Sequence, residues 1–259
     1  MTTSGPARSA LLPVVTRAVA GVGVVIAVSF LALPPAHAQS EATPQVESLP
    51  FRVDPPLRSY VAIRRLESEN ERHNKEAWLV ARTELRPDGS FHYEVLEEGG
   101  SEFIRRKVLH EALEKEQAVH REGRTRKSGL TRANYEFSPP VEADGLVRVG
   151  LVPRRKDDML VKGTLVTAPD GEILRIEGEL VKRPSFWTRS VRIVRQYDRI
   201  DGAHVPVSLD TVAQVRFAGT STMRIRYEYL EINGKPVSGQ PVVNLTRSSS
   251  GSRAVVAPR

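Results

Sequence analysis

Alternating apolar and polar positions in the last third of the chain predict three long antiparallel strands. They cover Ser185–Ile200, Val205–Phe217 and Thr222–Ile232, with turns at Asp201-Gly202 and Gly219-Thr220. In the third strand every second residue from Met223 to Tyr229 is apolar or aromatic, and arginine or glutamate stands between them. A period of two is typical of a half-buried strand. Strands this long would each span roughly 40 Å at ~3.3 Å per residue, which favours a broad, curved sheet.

Shorter segments with the same alternation come before these three. Two of them flank the turn sequence Pro87-Asp88-Gly89, and the same turn chemistry recurs at Pro169-Asp170-Gly171. The predicted shorter strands are Arg58–Ser68, Glu76–Arg86, Ser90–Leu96, Asn134–Phe137, Gly145–Pro153, Asp158–Ala168 and Ile173–Val181. The chain therefore contains about nine or ten predicted strands.

One segment, Glu102–Arg121, has the spacing of an amphipathic helix. Its apolar residues recur every three or four positions, at Ile104, Val108, Leu109, Ala112 and Leu113. Gly99-Gly100 is predicted to end the preceding strand, and Ser101 is predicted to cap the helix. A single amphipathic helix among many strands is expected to pack on the concave face of the sheet, giving an α+β, mostly β, fold.

The two ends of the chain have different patterns. Arg8 and Arg17, the apolar run 18–33 and Ala36-His37-Ala38 predict a secretory signal peptide in residues 1–38. Retention of the same run as a membrane anchor is the alternative, although it is shorter than the ~20 residues that cross a bilayer. Residues 39–56 contain four prolines and predict an extended linker or arm, residues 57–235 the folded domain, and residues 236–259 a flexible basic tail.

The charge balance limits the classes of partner. The whole chain carries a net charge of +7, and removal of Arg8 and Arg17 with the signal leaves +5. Residues 101–132 hold nine basic residues and five glutamates, a net charge of +4, which would suit a transient contact with an anionic membrane or an ordinary solvated helix and loop. Nucleic-acid binding is not expected, because the sequence has an export signal and no basic recognition motif.

No known catalytic or cofactor motif is present. His110-Glu111 begins a sequence similar to a zinc-protease helix, but Glu114 stands where the second histidine would be needed. The chain has no cysteine, no phosphate-binding glycine loop and no serine elbow. We therefore expect no enzyme activity, no metal and no cofactor, and a secreted hydrolase with an unrecognised site remains the less favoured alternative.

Several short motifs resemble one group of exported bacterial proteins. They are Ser185-Phe186-Trp187-Thr188-Arg189 with Tyr197 and Val205-Pro206, the run from Phe103 to Leu109, and Asn134-Tyr135-Glu136-Phe137. Together they make the chain similar to the outer-membrane lipoprotein-sorting-like proteins of the LolA/LolB/RseB-like lipoprotein-carrier superfamily. The resemblance implies an unclosed antiparallel β-barrel, or half-barrel, with helix across its mouth. It also implies a periplasmic carrier or sensor that binds lipid or acylated lipoprotein ligands.

Both lines of reasoning predict an apolar groove between the helix and the sheet. The candidate groove residues are Ile104, Val108, Leu109, Phe186, Trp187, Ile225 and Tyr227. The alternative for each is ordinary core packing. A protein-interaction module of an envelope stress or assembly pathway, with an envelope protein as partner, is the second functional hypothesis.

Overall fold

A computed structural model describes residues 49–238, except for the side chain of Arg126. Their strands join into one antiparallel sheet with the order β3-β2-β1-β11-β10-β9-β8-β7-β6-β4, while β5 also pairs with β6 and β12 with β11. The strands are β1 Tyr60–Asn70, β2 Lys75–Leu85, β3 Phe91–Gly100, β4 Tyr135–Phe137, β5 Val141–Ala143, β6 Leu146–Pro153, β7 Val161–Thr167, β8 Ile173–Leu180, β9 Thr188–Ile200, β10 Ala203–Val215, β11 Gly219–Ile232 and β12 Lys235–Pro236. The sheet does not close, and the predicted fold of a curved half-barrel with one main helix is confirmed.

The predicted alternation decides which side chains face inward. On β1, Tyr60, Ala62, Arg64 and Leu66 are buried, and the residues between them are at least partly exposed. The ten predicted strands are all present, with ends shifted by a few residues. The short edge strands β5 and β12 were not predicted, because two or three residues are too few to show a period.

Close backbone approach marks the place where β7 and β8 pair. Gly163 faces Gly178 across these strands. A Cβ atom on Gly163 would overlap the carbonyl oxygen of Glu177, and one on Gly178 would overlap that of Lys162. Glycine lets the two backbones come closer than any other residue would allow, and such positions are typical of bends in curved sheets.

The helix covers residues 102–121, as predicted, but it is not regular throughout. It begins as an α-helix at Glu102–Ile104, continues as a six-residue π-helix at Arg105–His110 and returns to an α-helix at Glu111–Arg121. Ser101 stands at the N-cap position, but its side chain makes no capping hydrogen bond. A short 3₁₀ helix, Arg124–Ser128, follows the main helix, and another, Glu71–His73, connects β1 and β2.

Two predicted breaks were misplaced. Strand β3 continues through Gly99-Gly100, because Gly100 takes a φ of +83° and still pairs with Ala77. The turn predicted at Gly219-Thr220 lies instead at 216–218, and Gly219 already belongs to β11. Phe217, predicted as the end of a strand, is therefore a turn residue.

The described part of the predicted linker lies against the sheet. Phe51 is 6% exposed and packs with Leu130, Tyr135 and other residues of the β6–β8 side. The Arg52 amide donates a hydrogen bond to the carbonyl oxygen of Gly171 at 2.8 Å. The predicted signal peptide, most of the linker and most of the tail lie outside the described residues.

Apolar side chains form three buried clusters. The first joins the helix to the inward face of the sheet, from Leu66 on β1 to Val191 on β9. The second lies under β6–β8 and includes Phe51, and the third surrounds Tyr60 and Tyr229. Within residues 49–238 no helix is both long and apolar enough to cross a bilayer.

Candidate functional site

The interface between the helix and the sheet is the first candidate site. The helix lies over β1, β2 and β3, and its apolar stripe is buried against them. Ile104, Val108 and Leu109 are between 0% and 6% exposed. The stripe thus fills the concave face with the protein's own side chains, and we call this contact the helix–sheet interface.

The structure brings five of the seven predicted groove residues together. Ile104, Val108, Leu109 and Ile225 belong to one buried cluster, and Tyr227 packs against it. Because these five residues pack on one another, an apolar ligand could occupy this place only if the helix moved. Phe186 and Trp187 lie elsewhere, in the loop between β8 and β9, and are 73% and 36% exposed.

A buried ion pair crosses the helix–sheet interface. The Arg64 guanidinium on β1 donates two hydrogen bonds to the Glu116 carboxylate on the helix, at 2.6 Å and 2.9 Å. The two side chains are 0% and 1% exposed. Burial alone would lower the pKa of Arg64, but the charge of Glu116, the nearby Tyr60 and Tyr227 hydroxyls and the hydrogen bond to Glu116 together hold that pKa well above its usual value.

Aromatic rings enclose this ion pair. The guanidinium carbon of Arg64 lies 4.6 Å from the ring centre of Tyr227 and 5.1 Å from that of Phe91. Arg64 also donates a hydrogen bond to the Tyr60 hydroxyl. Burial raises the pKa of both the Tyr60 and Tyr227 hydroxyls, so these phenols stay protonated at neutral pH.

Sequence reasoning missed the ion pair, although a signal was present. Arg64 occupies an inward position in the alternation of β1, between Ala62 and Leu66. Glu116 continues the helical spacing of Leu109 and Leu113 and is buried with them. When two charged residues are buried as a pair, each appears in the sequence as a charged residue among the apolar positions of its own strand or helix.

The outer side of the helix is fastened to β3 by polar contacts. The Glu98 carboxylate accepts a hydrogen bond from Arg105 at 2.5 Å and lies 2.6 Å from the His110 imidazole. The hydrogen bond with His110, followed by the charge of Arg105, lowers the pKa of Glu98. Both helix residues belong to the π-helical segment, a rare geometry that is often found at functional sites.

A second set of buried polar residues belongs to strands β9 and β10. Arg195 is 2% exposed, and the ring of Tyr197 stacks on that of His204 with 5.0 Å between centres. The His204 Nε2 atom is 2.6 Å from the carbonyl oxygen of Ile173. Burial raises the pKa of Tyr197, while the charge of Arg195 opposes that rise. Two buried arginines, Arg64 and Arg195, thus lie among the buried side chains of the sheet, and both act on the hydroxyl of Tyr227.

A surface groove of about 940 Å³ lies at β6–β8 and shares Leu180 with the buried cluster beneath the helix. Arg154, Arg155, Lys156 and Lys162 contribute four positive charges to its lining, and Glu179 contributes one negative charge. Arg154 is paired with Glu136 at 3.1 Å, and Arg155 donates a hydrogen bond to Asn134. None of the seven predicted groove residues lines this groove.

Within residues 49–238, a serine and a histidine are in contact in the exposed hairpin between β2 and β3. The Ser90 hydroxyl donates to Asp88 at 2.6 Å and lies 3.2 Å from His92 Nε2. In a catalytic triad the acid orients the histidine, whereas here Asp88 and His92 both contact the serine oxygen. The arrangement is that of a hairpin turn, and residues 49–238 contain no group of acids and histidines that could hold a metal ion.

Comparison with known proteins identifies no family for this chain. No family model matches the chain, and no curated protein matches it. A crystal structure of a DUF1329 family protein from Desulfovibrio piger is similar over 71% of this chain and 88% of that chain, with 10% identity and a TM-score of 0.34. A likeness at this level carries no argument about fold or function.

Proposed function

We propose that this protein is an exported, non-enzymatic binder of lipid or acylated ligands in the periplasm, acting as a carrier or sensor. In this proposal an acyl chain takes the place of the apolar stripe of the helix on the concave face of the sheet. The observation that carries it is the helix–sheet interface itself, where a buried apolar cluster surrounds the Arg64–Glu116 ion pair.

The free energy lost by exposing the apolar stripe and the free energy gained by burying an acyl chain are of similar size. Exposing the four large apolar residues of the stripe would cost roughly 6–12 kcal/mol, at about 1.5–3 kcal/mol for each side chain. A sixteen-carbon chain that replaces them gains roughly 12 kcal/mol of gross transfer free energy, at ~0.8 kcal/mol per methylene. An acyl chain can therefore compensate for exposure of the apolar stripe, whereas a small polar ligand could not. Separating Arg64 from Glu116 costs about a further 3–5 kcal/mol unless both charges become solvated or paired again.

The ion pair suits a contact that opens. Replacing a buried ion pair by apolar residues of similar volume is often neutral or stabilising, so the pair is not needed for tight packing. A helix held partly by Arg64 and Glu116 would adhere less strongly to the sheet than one held by apolar contacts alone. We infer that the pair keeps the helix in register while leaving it able to leave the sheet.

The test compares ligand binding with closure of the helix. In the double variant Arg64→Met/Glu116→Leu the pair becomes apolar, so the protein should be as stable as the wild type or more stable, by up to about 4 kcal/mol. A fluorescent fatty acid should bind this variant at least about tenfold more weakly, because the helix is harder to displace. Glu114→Gln, on the exposed side of the same helix, is the matched control and should bind as the wild type does.

Direct recovery of ligand provides the second measurement. Organic extraction of the protein purified from its native envelope should yield a co-purifying lipid. Absence of such a lipid, together with no binding of the fluorescent fatty acid by the wild type, would rule the proposal out. Equal fatty-acid affinity of the wild type and the double variant would exclude displacement of the helix as the route.

A further inference from the structure

Three exposed aromatic side chains meet at one end of the sheet, outside the helix–sheet interface. Phe186 and Trp187 lie in the loop between β8 and β9, and Phe217 lies in the hairpin between β10 and β11. Ring centres are 5.4 Å apart for Phe186 and Trp187 and 5.8 Å apart for Trp187 and Phe217. Their exposed fractions are 73%, 36% and 72%. We call these three residues the aromatic tip.

Hydrogen bonds hold the two loops of the aromatic tip together. The Arg216 amide donates to the carbonyl oxygen of Trp187 at 2.8 Å, which joins the hairpin to the β8–β9 loop. The Thr188 amide donates to the carbonyl oxygen of Ser185 at 3.2 Å. The Arg216 guanidinium lies 4.8 Å from the ring centre of Phe186. The two loops that carry the exposed rings are thus held together by hydrogen bonds.

The backbone at Phe217 is strained. Its φ is +66°, in the left-handed region that glycine and asparagine adopt more easily than a bulky residue. A side chain that is 72% exposed contributes little to the core, and its left-handed backbone costs free energy in the turn. Such an outlier points to a role outside the fold.

Basic residues flank the aromatic tip in the sequence, and Arg216 lies over the ring of Phe186. Residues 181–189 carry Lys182, Arg183 and Arg189 and no acid, and the hairpin 215–219 carries Arg216 and no acid. Residues 181–189 and 215–219 together therefore have a charge of +4. In the described part of the chain, none of these four residues forms an ion pair with an acidic side chain.

We propose that the aromatic tip docks this protein on the interface of an anionic phospholipid bilayer. Aromatic side chains favour the head-group level of a bilayer, and arginine and lysine beside them favour anionic lipids. A second copy of the chain fits this surface less well, because two tips of charge +4 would repel each other. The proposal assigns membrane contact to these two loops, rather than to the basic segment 101–132 that the sequence suggested.

The first test changes the rings. The protein is recovered after export, its N-terminus is verified by mass spectrometry, and it is sedimented with vesicles of phosphatidylcholine containing 30% phosphatidylglycerol. Phe186→Ser/Phe217→Asn should lower the vesicle partition coefficient at least about tenfold, and asparagine at position 217 relieves the strained φ, so the fold is retained. Val141→Ser, which removes a 60%-exposed side chain at the opposite end of the sheet, should not change the partition coefficient.

The second test changes the charges. Arg183→Gln/Arg216→Gln should lower partitioning into the anionic vesicles about tenfold, while Arg58→Gln/Lys235→Gln removes the same charge near the other end and should have a much smaller effect. In a Trp78→Phe background, Trp187 fluorescence should shift to shorter wavelength when anionic vesicles are added and should not shift with pure phosphatidylcholine.

Several results would overturn the membrane proposal. These are no partitioning of the wild type, equal losses in the tip variants and their matched controls, or loss only when residues 101–132 are changed. Dimerisation of the wild type that Phe217→Asn abolishes would identify a second copy as the occupant instead. Fatty-acid binding by the tip variants should equal that of the wild type, so failure of this proposal is distinguishable from failure of the proposed ligand binding.

Discussion

A few polar residues supply the hydrogen bonds and charges of the helix–sheet interface. His120, one turn after Glu116 on the helix, stacks on Phe91 with 5.5 Å between ring centres. Its Nδ1 atom is 3.0 Å from the carbonyl oxygen of Gly89, so the ring connects the end of the helix to the β2–β3 hairpin. Burial lowers the pKa of His120 below its usual value, despite the opposing charge of Glu116.

This histidine predicts a pH dependence of stability. A depressed pKa in the folded state means that the unfolded chain takes up the proton first as the pH falls. The contribution of His120 is therefore complete above about pH 6.5 and is lost as the pH falls towards the folded-state pKa. Urea unfolding between pH 7.5 and pH 5 should show a smaller loss of free energy for His120→Gln than for the wild type. The exposed His73→Gln should lose as much as the wild type; an equally steep loss in His120→Gln would contradict the assignment.

At the scale of elements, two backbone irregularities shape the molecule. The π-helical segment Arg105–His110 turns the helix so that its polar side reaches Glu98 while Val108 and Leu109 remain buried. The Gly163–Gly178 pair lets the backbones of β7 and β8 approach more closely than side chains would allow.

A single added methyl group should disturb the close pairing of β7 and β8. In Gly163→Ala the new Cβ would overlap the backbone of Glu177 and Gly178, which cannot move as a flexible side chain would. We expect a loss of about 3 kcal/mol or more in the free energy of unfolding, in the range for overpacked positions. The neighbouring Thr164→Ala, at a half-buried position, should cost less than about 1 kcal/mol in the same urea titration. Equal stability of the two variants would show that the sheet tolerates a wider β7–β8 spacing.

At the scale of the whole molecule, one continuous sheet connects all parts of the core. The helix covers the β1–β3 side, while Phe51 and residues near Leu130 cover the β6–β8 side. Strands β9, β10 and β11 join the two sides and are 13, 13 and 14 residues long. Because these long strands belong to both sides, we expect that unfolding of one side disrupts the other.

This coupling predicts a single unfolding transition. Trp78 on β2 and Trp187 in the β8–β9 loop are the two tryptophans of the chain, and they report on different regions. Urea titrations followed by fluorescence of Trp78→Phe and of Trp187→Phe should each coincide with the far-ultraviolet circular dichroism of the same variant. A fluorescence midpoint that differs from the circular dichroism midpoint would mean that one side of the sheet opens on its own.

The sequence by itself determined the elements and their inward faces. Alternation placed Ile225 and Tyr227 on one side of β11, and helical spacing placed Ile104, Val108 and Leu109 on one stripe. Both patterns are local, since they follow from the side-chain periods of strand and helix. The turn at Pro87-Asp88-Gly89 was also predictable from the sequence, because glycine is the residue that most easily adopts the φ of +83° found there.

Only the tertiary structure decided which of these faces meet. Arg64 and Glu116 are 52 residues apart in sequence, and neither residue identifies the other as its partner. The aromatic tip likewise joins two loops about 30 residues apart, while the helix reaches β1–β3 and leaves Phe186 and Trp187 exposed. Such pairings depend on free energy summed over distant segments that are buried together, and a local pattern of residues does not contain that sum.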